Sequence, residues 1–196
     1  MKKLFLMAAV VMLSAVASLA QIGARIGMNF ANWANQPVDS RIGAHLGVVY
    51  NIELGDSPLS LQPGFFFSQR NFKDDNTGNW KVNTSHLELP ILIKYNLEVA
   101  NDIIIDPHVG PYFAMALAGH IKDSDPKVKI YKEKDGHWGY ENMDMGITTG
   151  CGATFFGSVY AGIDYSWGLN EIGKTPKGDP VRNHNFSITF GVWFGN

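Results

Sequence analysis

Ile22-Gly23-Ala24-Arg25-Ile26-Gly27-Met28-Asn29-Phe30 sets an apolar side chain at every second position, with a glycine or a polar residue between. A period of two puts alternate side chains on opposite faces, so this stretch reads as a strand with one oily and one polar face. The scheme recurs along the chain. Ile42, Ala44, Leu46, Val48, Tyr50 and Ile52 mark a second strand, and Leu59, Leu61, Phe65 and Phe67 a third. Leu87, Leu89, Ile91, Ile93 and Tyr95 mark a fourth; Ile103, Ile105, Val109, Phe113 and Met115 a fifth. The sixth, Met143, Met145, Ile147, Cys151, Ala153 and Phe155, is less apolar. Val159 to Trp167 and Phe186 to Phe194 supply the seventh and eighth.

Two architectures present such strands: a soluble barrel with its oily side inward, and a membrane barrel with its oily side outward. Residue size favours the second. The polar face carries Gly23, Gly27, Gly43, Gly47, Gly64, Gly110, Gly146, Gly150, Gly152, Gly162 and Gly191, which suits a narrow interior, while the bulky residues lie on the other face. Aromatic residues end the apolar rows at both sides, Phe30, Phe67, Phe113 and Trp167 at one, Tyr50, Tyr95, Phe155 and Phe194 at the other. Membrane barrels carry such girdles at their two interfaces. Connectors alternate as well. Residues 56–58, 99–101 and 156–157 are tight and residues 71–83, 119–138 and 170–182 are long, with a shorter first loop at 35–40. Short periplasmic turns and longer external loops are the outer-membrane arrangement. The expected fold is all-β: an eight-stranded antiparallel up-and-down transmembrane β-barrel in a bacterial outer membrane.

The N-terminus is consistent with export. Lys2 and Lys3 precede an apolar run from Leu4 to Val16, and Ala17-Ser18-Leu19-Ala20 offers small residues for cleavage, so residues 1–20 read as a signal peptide and 21–196 as one barrel domain. The run is shorter than the ~20 residues of a spanning helix. The only cysteine, Cys151, has no partner for an intramolecular disulfide, which leaves strand pairing as the main constraint. A net charge of -2 without runs of like charge gives no reason to expect nucleic acid as a partner. The expected partners are outer-membrane lipid and, through the long loops, surface or secretion-machinery proteins.

Pro63, Pro90, Pro107 and Pro111 fall inside these strands, where each removes a ladder donor, and are expected to mark bulges or portions outside the hydrocarbon layer. Leu59-Ser60-Leu61-Gln62-Pro63 with Phe67-Ser68-Gln69, and above all Leu87-Glu88-Leu89-Pro90-Ile91-Leu92-Ile93-Lys94-Tyr95, resemble segments of the PorT-like family of small outer-membrane barrels. Gly110-Pro111-Tyr112 and Gly27-Met28-Asn29-Phe30 extend the resemblance over nearly the whole mature chain. It implies a tolerated local geometry for Pro63, Pro90 and Pro111, and an association with protein export across the outer membrane. The loop at 119–138 departs from many relatives, with Lys127, Lys129, Lys132 and Lys134 among Asp123, Asp125, Glu133 and Asp135.

Arg25, Arg41, His45, Glu53, Glu88, Lys94, Asp106, His108, Asp144 and Asp164 fall on the inward face, a mixed-sign set expected to pair because unpaired charge in a confined interior is costly. Arg25, His45, Glu88, Lys94, Asp106 and Asp164 are its candidate lumen network, with Glu88 expected against Lys94 or Arg25. No catalytic, cofactor or metal site is expected: the six histidines lack ligand spacing, and no Gly-x-Ser-x-Gly surrounds a nucleophile. The expected role is structural or one of recognition. Its rivals are a narrow channel, a soluble barrel holding an apolar ligand with Leu46, Ile91, Ile163 and Ile188 inward, and an enzyme using His86, His184, Ser85 and Asp144 at the rim.

Overall fold

The computed structural model describes residues 20–34, 38–74, 81–122, 128–129, 141–174 and 180–194. Eight long strands run through these residues: β1 (Ala20–Ala34), β2 (Val38–Glu53), β3 (Leu59–Asp74), β4 (Lys81–Tyr95), β5 (Ile103–Lys122), β6 (Met143–Phe155), β7 (Val159–Gly168) and β8 (Pro180–Phe194). Each pairs antiparallel with its neighbours in sequence, and β8 pairs back onto β1 from Ile22 against Phe194 to Ala34 against Arg182. The sheet is therefore closed, and a closed sheet leaves no edge whose backbone groups would go unpaired in lipid.

The alternation decides which way each side chain points. Ile26, Leu46, Ile91, Ile93, Val109, Phe113, Ile163 and Phe190 lie on the exterior, 40 to 59 % exposed. Apolar surface carried all round the barrel far exceeds the few hundred Å² a soluble monomer exposes, and so belongs in a bilayer. Leu46, Ile91 and Ile163 thus face outward, and Ile188 shares their face through its pairing with Ile163, which removes the soluble barrel with an oily interior. The sixth strand, weakly marked in sequence, pairs without interruption to β5 from Ile103 against Phe155 to Met115 against Met143.

β1 begins and β8 ends at the same end of the barrel, where the connections are short. Gly55 (φ +65°) turns β2 into β3, closed by Leu54 N donating to Leu59 O at 3.0 Å. Phe156 and Gly157 both have positive φ, and Ser158 N donates to Phe155 O, the type I′ geometry that matches strand twist. The β4–β5 turn sits slightly later than expected, at Asn101 and Asp102, because Leu97–Ala100 still pairs with Ile103–Ile105.

At the opposite end the strands outrun the expected loops. β3 continues to Asp74, β4 begins at Lys81 and β5 is 20 residues long, against the ~9–11 that cross a bilayer. Residues 75–80 alone separate β3 from β4, and within the expected third loop Val128–Lys129 pairs with His120 and Ile121. The remainder of the lysine-rich segment lies outside the described residues, as do residues 1–19; Ala20 is already paired in β1, with Ile52.

The four prolines produce no bulges. The β5–β6 register runs unshifted through Pro107 and Pro111, and the β3–β4 register is the same on both sides of Pro63 and Pro90, interrupted only by two missing pairs between Pro63 and Phe66. Register shifts fall elsewhere, between Arg41 and His45 and between Ser85 and His86.

Candidate functional site in the lumen

The inward side chains form four successive layers. Nearest the termini, the Arg25 guanidinium is held between the rings of Tyr160 and Trp193, 3.9 and 4.0 Å from their centroids. Such stacking suits a planar, weakly hydrated cation. The glycines make room for it: a Cβ on Gly23 would meet Trp193 at 2.8 Å, and one on Gly152 or Gly162 would meet Tyr160 at 2.5 Å. Beside this stack, buried Lys94 binds Asp106 and donates to Gln62 Oε1, both at 3.2 Å. His108 then bridges two carboxylates, Nδ1 to Asp106 at 3.3 Å and Nε2 to Asp164 at 2.6 Å.

The second layer is built of amides and hydroxyls around one histidine. His45 lies between Asn29 Oδ1 at 2.9 Å and Thr189 Oγ1 at 3.1 Å, while Asn29 Nδ2 donates to Ser68 Oγ. A cavity of about 70 Å³ opens among these groups, Glu88, Asp164 and Ser166. It is polar and has room for a few water molecules.

Above it, Arg70 forks between two strands. Its Nη1 donates to Asp144 Oδ2 at 2.7 Å and its Nη2 to Glu88 Oε2 at 2.9 Å, and the side chain is 1 % exposed. Tyr112 and Asn183 donate to the same Asp144 oxygen at 3.1 and 3.0 Å. Charge-assisted bonds of this kind are short and strong, and they tie β3, β4, β5, β6 and β8 together across the lumen. The fourth layer, at the loop end, is apolar: Ala31, Trp33, Phe72, Val82, Ile172 and Val181 close the bore, with the Trp33 and Phe72 rings 4.4 Å apart.

Several sequence expectations change here. Glu88 pairs with Arg70, absent from the expected lumen set, and not with Lys94 or Arg25. Arg70 continues the inward row of Ser60, Gln62 and Ser68 by the same period of two, so the signal was present in β3. Arg41 leaves the lumen because the register shift above His45 pairs it with Asn71; its Nη1 donates to Asn83 Oδ1 on the exposed rim. Glu53 is exposed at the end of β2. The supposed rim set is dispersed: Ser85 and His86 are consecutive in β4 and face opposite sides of the wall, Asp144 is held by Arg70, and His184 contacts the Tyr165 hydroxyl. Among the described residues no three His, Cys, Asp or Glu side chains converge as metal ligands.

Known proteins share the closed barrel. The model of the outer membrane protein beta-barrel domain matches residues 14–173. The chain belongs to this family. Solved structures of similar fold include Neisserial surface protein A, 13 % identical, with 89 % of this chain and 97 % of that one covered at a TM-score of 0.54. A major outer membrane protein from Thermus thermophilus is 12 % identical, with 89 % and 99 % covered at a TM-score of 0.55. No curated protein matches the sequence. At such identities the likeness is one of fold alone. The outer-membrane barrel thus has its apolar exterior in lipid, the start of β1, the end of β8 and the short turns on the periplasmic side, and its extended strands outside.

Proposed function

We propose that this outer-membrane barrel is a non-enzymatic scaffold that carries a recognition surface outside the cell, and that it acts as an accessory to secretion or envelope function in the manner of the PorT-like proteins it resembles. The filled lumen carries this reading. Two ionic layers and an apolar cap lie in series along the bore, so a large solute has no path through it, and the parts free to meet a partner are the outer strand ends and loops. The dispersal of His86, Ser85, Asp144 and His184 favours this role over a rim-located enzyme. The proposal includes export directed by residues 1–20.

Replacing residues 123–138 with a short glycine-serine turn tests the recognition role. The barrel is expected to insert normally and to keep its heat-modifiable mobility in detergent gels, while co-purifying envelope proteins are lost. Retention of every partner and an unchanged envelope phenotype would count against it. Intact mass of the protein from the outer-membrane fraction is expected to correspond to a chain starting at Gln21; a mass that includes residues 1–20 would remove the export signal from the proposal.

A further inference from the structure

Above the external aromatic residues, the outer wall of β3 and β4 changes character twice. Phe67 pairs with Leu87 in the lipid band; the next outward rows are Gln69 with Ser85, Asn71 with Asn83, and finally Lys73 with Lys81. Lys81 is also the register partner of Lys122 on β5, and Asn83 that of His120. Like charges directly opposite one another destabilise a sheet. Among the described residues the only ion pair on this exterior is Lys73 to Asp39 at 3.0 Å, which leaves Lys81 without a carboxylate and Arg41 bonded only to the neutral Asn83. Among the described residues this row of cations holds a single carboxylate, Asp39, and such an excess of positive charge suits an anionic ligand.

Height selects the occupant. Lys73 lies six residues beyond Phe67, and at ~3.3 Å per residue with the strand tilted by about 40° it stands roughly 15 Å above the external aromatic belt. The headgroup layer of an ordinary phospholipid leaflet is only about 5–8 Å deep. A saccharide headgroup reaches further, and the rows encountered on the way up fit it: amides and hydroxyls of Gln69, Ser85, Asn71 and Asn83 first, then cations.

We propose that this face of β2, β3 and β4 binds the phosphorylated saccharide headgroup of an outer-leaflet glycolipid, with Asn71, Asn83 and Ser85 facing sugar hydroxyls and Arg41, Lys73 and Lys81 facing its phosphates. Arg41 presents the planar donor fork that phosphate accepts, and the lysines add point charge. The site is separate from the lumen and does not depend on what the loops recognise.

The test uses the full barrel refolded in detergent and native mass spectrometry with rough-type lipopolysaccharide bearing core phosphates. The wild type is expected to retain this lipid about tenfold more strongly than the Arg41→Gln/Lys81→Glu variant, whose folding is checked by heat-modifiable mobility. Phosphatase-treated lipopolysaccharide should bind the wild type as weakly as the intact lipid binds the variant. Millimolar inorganic phosphate should not displace it. Equal retention by the variant, equal binding of the dephosphorylated lipid, equal binding of phosphatidylglycerol, or displacement by free phosphate each overturns the assignment. If the double variant does not fold, Lys81→Gln alone is measured, with a smaller loss expected and no loss overturning it.

Discussion

The residue with the greatest consequence is Arg70. It is fully buried and answers two carboxylates from different strands, Glu88 and Asp144. Removing one partner of a buried ionic cluster costs more than the cluster contributes, because charges are left behind where little water can solvate them. Arg70→Met is expected to destabilise the refolded barrel by about 3–5 kcal/mol, read as a lowered urea midpoint in detergent. Adding Glu88→Gln and Asp144→Asn should restore most of that loss, since the stranded charges are then gone. A single variant as stable as the wild type would show that water reaches this layer. The glycines act at the same scale: Gly23, Gly152 and Gly162 are where Trp193 and Tyr160 need space, and that space lets those rings clasp Arg25.

Each strand is a two-faced ribbon, and its faces answer to different solvents. Ile91 on β4 is 40 % exposed toward lipid, while Leu92, next in sequence, is 5 % exposed and faces the bore. Ile91→Lys should therefore cost about 2–4 kcal/mol, the value for a lysine on the lipid face near the bilayer midplane. The measurement is equilibrium unfolding from lipid vesicles; a loss well under 1 kcal/mol would move β4 out of the hydrocarbon layer. The prolines belong to this scale too. Their missing donors interrupt individual pairs while the flanking register holds, because a closed ladder on both sides of each strand fixes its position.

For the molecule as a whole, the order of the layers matters more than any one of them. The Arg70 cluster and the Trp33–Phe72 cap are barriers in series, one ionic and one apolar. In planar bilayers the wild type is expected to show no porin-like conductance. Arg70→Ala should stay nearly closed, since the cap remains, and measurable, still sub-porin currents are expected only when Phe72→Ala and Lys94→Ala are added, because the layer of Arg25, Lys94 and Asp106 is a further barrier. Porin-level current through the wild type would refute a filled lumen, and full current on losing Arg70 alone would refute the second barrier.

Direction along the barrel and the identity of its two faces were legible in the sequence, because a period of two needs only the pleat of a strand and a difference between lipid and lumen. Ile22 to Phe30 shows the two faces, the glycines of all eight strands tell which one is inward and so place Arg25 there, and the alternation of short and long connectors gives the direction. The partner of Glu88 was not legible. Arg70 is 18 residues away on another strand and Asp144 is 74 from Arg70, so their meeting depends on register and closure, which alternation within a strand does not specify. The same holds for Arg41, turned out of the lumen by a one-residue shift in β2, and for the apolar cap, where Trp33, Phe72 and Val181 follow the inward pattern but reverse its polarity. The sequence by itself determined what each strand shows to lipid; only the tertiary structure decided which inward groups meet, because those contacts run across the bore between residues that the chain keeps far apart.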